Sequence, residues 1–162
     1  MDIRPLTPSE LELVAPIWAS LLEHHGEAEP DRETRPASES WAIRRRQYEL
    51  WLEDPGSFAL VAEEDGEPVG YAFVHVHGPD DTWVTSERTA ELETLAVLPE
   101  QRGAGIGAAL MDAVDGELKG LGIDDLGLVV VAGNTAALRF YERRGLRAYA
   151  HRMHRGRVPG DG

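Results

Sequence analysis

The chain has 162 residues, 42% hydrophobic and 28% charged, with a formal net charge of −13 and no cysteine. That composition describes one globular domain with a full core, 1–162, and excludes disulfides and thiolate chemistry, as fits a reducing cytoplasm. The acidic excess argues against nucleic acid or an anionic membrane as partner and would draw in a cationic substrate such as an amine.

IRPL (3–6) reads as a short first strand. Thr7, Pro8 and Glu10 then form a capping box with proline at the first helical position, and Leu6 and Leu11 suit a hydrophobic staple. The pattern predicts a helix over about 8–25 with Leu11, Val14, Ile17, Trp18, Leu21 and Leu22 inward, kinked at Pro16. A polar loop, GEAEPDRETRPA (26–37), precedes a second helix at about 38–53 that Asp54-Pro55-Gly56 stops. FALVAEE and PVGYAFVHVHG flank the turn EDGE as a hairpin, and RTAELETLAVLP (88–99) is a third long strand. A helix follows at about 105–120, with Ile106, Leu110, Val114 and Leu118 at fourfold spacing. LGLVVVA (126–132) has the continuous apolar character of a strand covered on both faces. NTAALRFYERRG (134–145) is a helix with Asn134 as N-cap and Gly145 beyond its end. LRAYAHRMH (146–154) reads as a last strand and RGRVPGDG as a frayed tail. The predicted order is β-α-α-β-β-β-α-β-α-β. No apolar run approaches the roughly 20 residues of a membrane span, and no secretory leader is expected.

The stretch PEQRGAGIGAALMDAV (99–114) sets Gly103, Gly105 and Gly107 where a helix begins. Each glycine in a helix costs roughly 0.5–1 kcal/mol against alanine, so the glycines need a reason. A strand entering a glycine-rich turn at a helix N-terminus is an anion site, with outward N–H groups and a positive dipole end, and Arg102 adds a permanent charge. The plainer alternative is a tight turn with close helix–strand packing. A P-loop is excluded, because Lys119 is the sole lysine and lies outside the turn. Gly103, Gly105 and Ala108 also satisfy a dinucleotide fingerprint, but the turn follows about the fourth strand and not the first. Asp124 and Asp125 precede the next strand instead of ending it.

LAVLPEQRGAGIGAALM resembles the acyl-CoA pyrophosphate motif, Q/R-x-x-G-x-G/A, of the GNAT superfamily of acyl-CoA-dependent N-acyltransferases. Arg102, Gly105 and Gly107 meet it. Asn134, Ala137, Phe140, Tyr141 and Gly145 meet the family's second motif, N-x-x-A-x-x-F-Y-x-x-x-G, and the element order matches over nearly the whole chain. The resemblance implies an α/β fold with a mixed, mostly antiparallel central sheet flanked by helices. It implies acetyl-CoA as co-substrate in a cleft where two central strands splay. The backbone of Leu95, Ala96 and Val97 would pair with pantetheine. The amides of Gly103, Ala104, Gly105, Ile106, Gly107 and Ala108 would hold the pyrophosphate, and Asn134, in the motif with Ala137, would bond further along. The implied activity is N-acetyl transfer to a small-molecule or peptide amine, with a non-catalytic acyl-CoA-binding sensor as the other reading, and a homodimer is left open.

Direct acyl transfer needs a neutral amine, a polarised carbonyl and a protonated leaving thiolate. Tyr141 occupies the family's general-acid position, against the plainer role of a tyrosine packed beside Phe140. Glu93 and then Glu91 are the candidate bases, sharing a face if the strand is regular; Glu93 would lie roughly 7 Å before the Leu95–Val97 segment. A bulge would alter that facing. His75 and His77 share a strand face, and His75 offers help in deprotonation through water. No metal site is expected from this pattern. Arg44, Arg45 and Arg46 read as a solvated helix face; the two-helix region with Trp18, Trp41 and Trp51 is where the resemblance implies an acceptor pocket, with core packing as the plainer role of these tryptophans.

Overall fold

The computed structural model of the chain describes residues 1–156. The last six residues of the expected tail lie outside them.

Strand β1 (Asp2–Pro5) leads into the predicted capping box. The Thr7 amide and hydroxyl both donate to the Glu10 carboxylate, at 2.9 and 2.8 Å. These bonds, with one from Arg4, hold the Glu10 carboxyl down to about 2. Leu6 and Leu11 are buried in one cluster, as a staple requires. The expected kinked helix is instead two pieces: a 3₁₀ turn at Pro8–Val14, then helix α1 (Ala15–Ala28). Pro16 explains the break. It has no N–H to donate back along a continuous helix, but it sits comfortably in the first turn of a new one. Helix α2 (Ala37–Trp51) packs beside α1.

Strands β2 (Phe58–Glu64) and β3 (Glu67–His77) form the predicted hairpin. At its turn Asp65 and Gly66 both have positive φ, 51° and 82°, the left-handed pair that matches the twist of a two-residue hairpin. Strand β4 (Thr89–Val97), helix α3 (Ile106–Leu121), strand β5 (Leu126–Leu128) and helix α4 (Thr135–Arg143) follow. The sheet runs β1-β2-β3-β4-β5, antiparallel throughout except for the parallel β4–β5 pair. Leu60, Ala72, Val74 and Leu92 pack under Leu110 and Val114 of α3. On the other face Val61, Tyr71 and Phe73 meet Val14, Trp18 and Tyr48. No helix among the described residues is long and apolar enough to cross a membrane.

Two expectations fail at the C-terminal edge. LGLVVVA forms a strand only over Leu126–Leu128, half-buried, and Val129 is 65% exposed. Residues 146–154 form no strand. The two failures have one cause. β5 pairs with Ala90, Glu91 and Leu92 and then leaves β4, so residues 129–132 have no ladder on one side. With 146–154 outside the sheet they have none on the other, and an apolar run without partners is not a strand.

The second irregularity lies within β4. Phe73 pairs with Thr94, but its neighbour Val74 pairs with Leu92, leaving Glu93 as the extra residue of a bulge. A knot of buried hydroxyls secures it. Tyr48 of α2 shares hydrogen bonds with Thr94 Oγ1 and, at 3.1 Å, with the Tyr71 hydroxyl. Burial pushes the Tyr48 phenol up to about 12. Tyr48→Phe leaves two buried hydroxyls short of a partner and should lower unfolding free energy by about 1–3 kcal/mol in urea titration. An unchanged midpoint would mean that Tyr71 and Thr94 satisfy each other without it.

Candidate active site

Helix α3 starts without a side-chain cap and with no acidic residue in its first turn. Gly105, its N-cap, has φ 82°, and Gly103 has φ 81°. A Cβ on either would meet nothing within 4 Å, so the left-handed backbone demands glycine there and packing does not. At Gly107 a Cβ would make ordinary contact with Phe140 and Val97, both at 3.9 Å. Close helix–strand packing therefore does not account for the three glycines. Ala109 is the residue whose amide donates to the Gly105 carbonyl, at 3.0 Å; the amides of Ile106, Gly107 and Ala108 precede any intrahelical partner. Ile106 is buried, so it offers this end its amide alone, while Gly103, Ala104 and Gly105 are exposed. Arg102 lies beside the turn, its Nε donating to the Val97 carbonyl at 3.2 Å. The result is a bare, positively polarised helix end suited to a pyrophosphate.

Below it, β4 and β5 part after Leu92 and Leu128. From Glu93 to Val97 the β4 edge has no strand partner on that side among the described residues. Leu95 and Val97 lean toward the α3 cluster, while Ala96 is buried on the α1–α2 side. Asn134 caps α4, its Oδ1 accepting from the Ala137 amide at 3.1 Å, so these two motif residues bond each other. One residue earlier, Gly133 abuts the end of α1 so closely that a Cβ would overlap the Ala28 carbonyl. The turn into α4 thus closes against α1 across the end of the gap. Tyr141 packs on the α3 cluster, edge-on to Phe140 with centroids 5.2 Å apart. Burial alone pushes its phenol up to about 12, so it keeps its proton at neutral pH.

The carboxylates lie on the opposite face. The regular strand assumed from sequence is not what forms. The bulge at Glu93 keeps Glu91 and Glu93 on one side but turns Leu95 away from it, so the simple two-residue spacing between Glu93 and Leu95 does not hold. Glu91 pairs across the sheet with His75 and folds over Gly127, where a Cβ would meet its Oε2 at 2.8 Å. Glu93 Oε1 lies 3.9 Å from His75 Nδ1. Burial raises both carboxyls above the ordinary 4.5, and the charge of Glu91 adds to the effect at Glu93.

Sequence reading did not single out Asp54. Placed just after α2, it bonds His75 Nε2 through Oδ2 at 2.7 Å. Trp51 stacks on the same imidazole at 5.1 Å and 18°, and His77 lies 5.2 Å away. Only the order "α2, then β3 beneath it" could have hinted at that pairing. The three arginines of α2 also divide. Arg45 bonds Glu12 and Glu49, whereas Arg44 is half-buried with its guanidinium 4.6 Å over the Trp18 ring. The solvated-face reading fails for Arg44.

Solved N-acetyltransferases share this architecture. A GCN5-related N-acetyltransferase from Ralstonia eutropha matches with a TM-score of 0.77 at 24% identity, covering 95% of this chain and 97% of that one. The aminoglycoside N-acetyltransferase AAC(6')-Iy, solved in complex with CoA, matches with a TM-score of 0.67 at 18% identity, over 97% and 100% of the two chains. The chain belongs to the acetyltransferase (GNAT) family, whose profile matches residues 18–146. Among characterised relatives, a mycothiol acetyltransferase from Thermobispora bispora is 38% identical over 113 residues, 68% of this chain and 37% of that protein. The chain thus spans little more than a third of the length of that relative.

The α3 turn can be tested where fold and ligand make different demands. Gly107→Ala sits in ordinary helix with room for a methyl, so thermal stability should hold or rise slightly. Calorimetric affinity for CoA should nevertheless drop, because the added methyl crowds a phosphate lying against the amides. Unchanged affinity would leave this turn a structural feature. Gly105→Ala should lose stability as well, by about 1–2 kcal/mol of left-handed strain.

Proposed function

We propose that the chain transfers the acetyl group of acetyl-CoA to a primary amine, which attacks the thioester directly. The observation that carries this reading is the parting of β4 from β5. Where that pairing ends, the bare α3 amides and Tyr141 lie on one face of the sheet and Glu91, Glu93 and His75 on the other. The residues fit the co-substrate: the amides of 103–108 and Arg102 would hold its pyrophosphate, and the unpaired edge of Leu95–Val97 its pantetheine arm, with Asn134 further along. When bound, acetyl-CoA supplies an activated thioester carbonyl.

The chain's own groups then handle protons. An amine is mostly ammonium at neutral pH and must lose a proton before it can attack. Glu93 is the first candidate to take it and Glu91 the second. Partial burial makes each a stronger base than an exposed carboxylate. Asp54 accepts from His75 Nε2–H, which leaves Nδ1 facing Glu93 as a second acceptor for the same proton. On the other face Tyr141 Oη holds a proton available to the departing thiolate. A non-catalytic acyl-CoA sensor has no use for this division of acid and bases.

The experiment is an acetyl-CoA consumption screen over mycothiol-type amines, aminoglycosides, amino acids and peptides. Turnover with one class supports the enzyme; tight CoA binding without turnover supports the sensor. With an acceptor in hand, Tyr141→Phe should lower kcat by about 10²–10⁴ at unchanged thermal stability. A change within about twofold would make the tyrosine structural. The pH profile separates the bases. A carboxyl raised above 4.5 is an active base only above its raised value, so kcat/KM should fall away as pH drops through it. Glu93→Gln should remove that acidic limb. If Glu91→Gln alone removes it, the two roles exchange; if neither does, His75 or solvent takes the proton.

A further inference from the structure

Arg44 of α2 lies beside Trp51, the ring that stacks on His75, and its guanidinium forms no salt bridge among the described residues. Its guanidinium covers Trp18 at 4.6 Å and stands 5.7 and 5.8 Å from the rings of Tyr48 and Trp51. That floor is fixed: Trp18 donates to Ser40 Oγ at 2.9 Å, and Trp51 stacks on His75. Arg4, Arg45 and Arg144 each engage two carboxylates. Arg44 has no carboxylate within salt-bridge distance among the described residues, in a chain with 29 acidic side chains. None of its nitrogens is among the fully buried polar atoms without a partner, so its donors remain open to water or a ligand. An arginine set among aromatic rings keeps its planar fork of N–H groups, which matches a carboxylate. Trp51 also stacks on His75, whose Nδ1 lies 3.9 Å from Glu93 Oε1, and the Arg44 charge is near enough to lower the Glu93 carboxyl.

We propose that Arg44 anchors a carboxylate on the acceptor, so that the preferred acceptor is an amine that also carries an acid. The proposal rests on the acetyltransferase reading: the amine end goes to Glu93 and Glu91, the acid end to Arg44. A polyamine or an aminoglycoside offers nothing to the second point.

The test compares amino acids with their own carboxamides as acceptors for the intact chain with acetyl-CoA. The acid should be preferred in kcat/KM by about 10–100-fold, mainly through KM, as a charged bidentate bond gives. Arg44→Gln should collapse that preference to near one, and Arg44→Lys should restore part of it. Equal use of acid and amide by the parent, or equal losses for both in Arg44→Gln, would overturn the proposal and leave a structural cation–aromatic contact. If no amine turned over, the acetyltransferase reading would fail, but Arg44 would still be decided. Titrating the CoA-loaded protein with the acid should quench tryptophan fluorescence, the amide should not, and Arg44→Gln should abolish the difference. Absence of that difference overturns the anchor whatever the catalytic result. Thermal melts of both variants exclude misfolding as the cause.

Discussion

One extra residue in β4 organises the rest of the site. Side chains alternate along a strand, so an insertion reverses the facing of everything beyond it. Up to Glu93, β4 sends Glu91 and Glu93 to the α1–α2 face and Leu92 to the α3 face. Beyond it, Thr94 and Ala96 take the α1–α2 face, and Leu95 and Val97 turn toward α3. Without the bulge, Leu95 and Val97 would share the side of the carboxylates, and the edge facing β5 would carry a different set of backbone groups. The bulge also adds local twist, and β5 separates from β4 immediately before it, after Leu92.

An irregular strand in the middle of a sheet has to be secured, and α2 does this. Tyr48 stacks flat on Phe73 at 4.0 Å and 8°, while its hydroxyl reaches Thr94, the residue after the bulge. A turn further on, Trp51 covers His75. The helix thus presents aromatic faces to β3 and a hydroxyl to β4. Buried polar groups of this kind are costly when unpaired and specifying when paired, so the knot favours this register over a one-residue slip. Glu91 and Glu93 on this face are themselves half-buried, which raises both carboxyls.

Most of the frame was legible in the sequence, because it is written in local patterns. The hairpin announced itself through alternating apolar runs around Asp65-Gly66, α3 through fourfold spacing after glycines, and α4 through Asn134 and Gly145. The family motifs pointed to the glycine turn, whose bare helix end suits a phosphate. What stayed hidden depended on pairing. Nothing in AELETLAV marks Glu93 as an inserted residue, since the shift exists only relative to Phe73 and Val74. Asp54 reads as a helix stop, and its bond to His75 requires knowing that α2 lies over β3. Arg44 differs from Arg45 only in which rings lie beneath it. The missing last strand is the converse case: LRAYAHRMH has strand-like character, but a strand exists only where a neighbour supplies its hydrogen bonds.

The charge of the chain poses a problem that this arrangement resolves. If the acceptor is an amine, as proposed, a net charge of −13 would gather its cation, but the same field stabilises the ammonium over the free amine that would have to react. More exposed carboxylates at the site would deepen that conflict. Glu91 and Glu93 are instead partly desolvated and adjacent, so each prefers a proton more than a surface glutamate does. On the proposed reading, the field would collect the protonated amine at long range, and the carboxyls would favour moving its proton at short range. Arg44 supplies a nearby positive charge that limits the negative potential locally, and it lowers the Glu93 carboxyl in opposition to burial and Glu91. The balance of these opposing influences leaves Glu93 raised, beside a His75 held by Asp54.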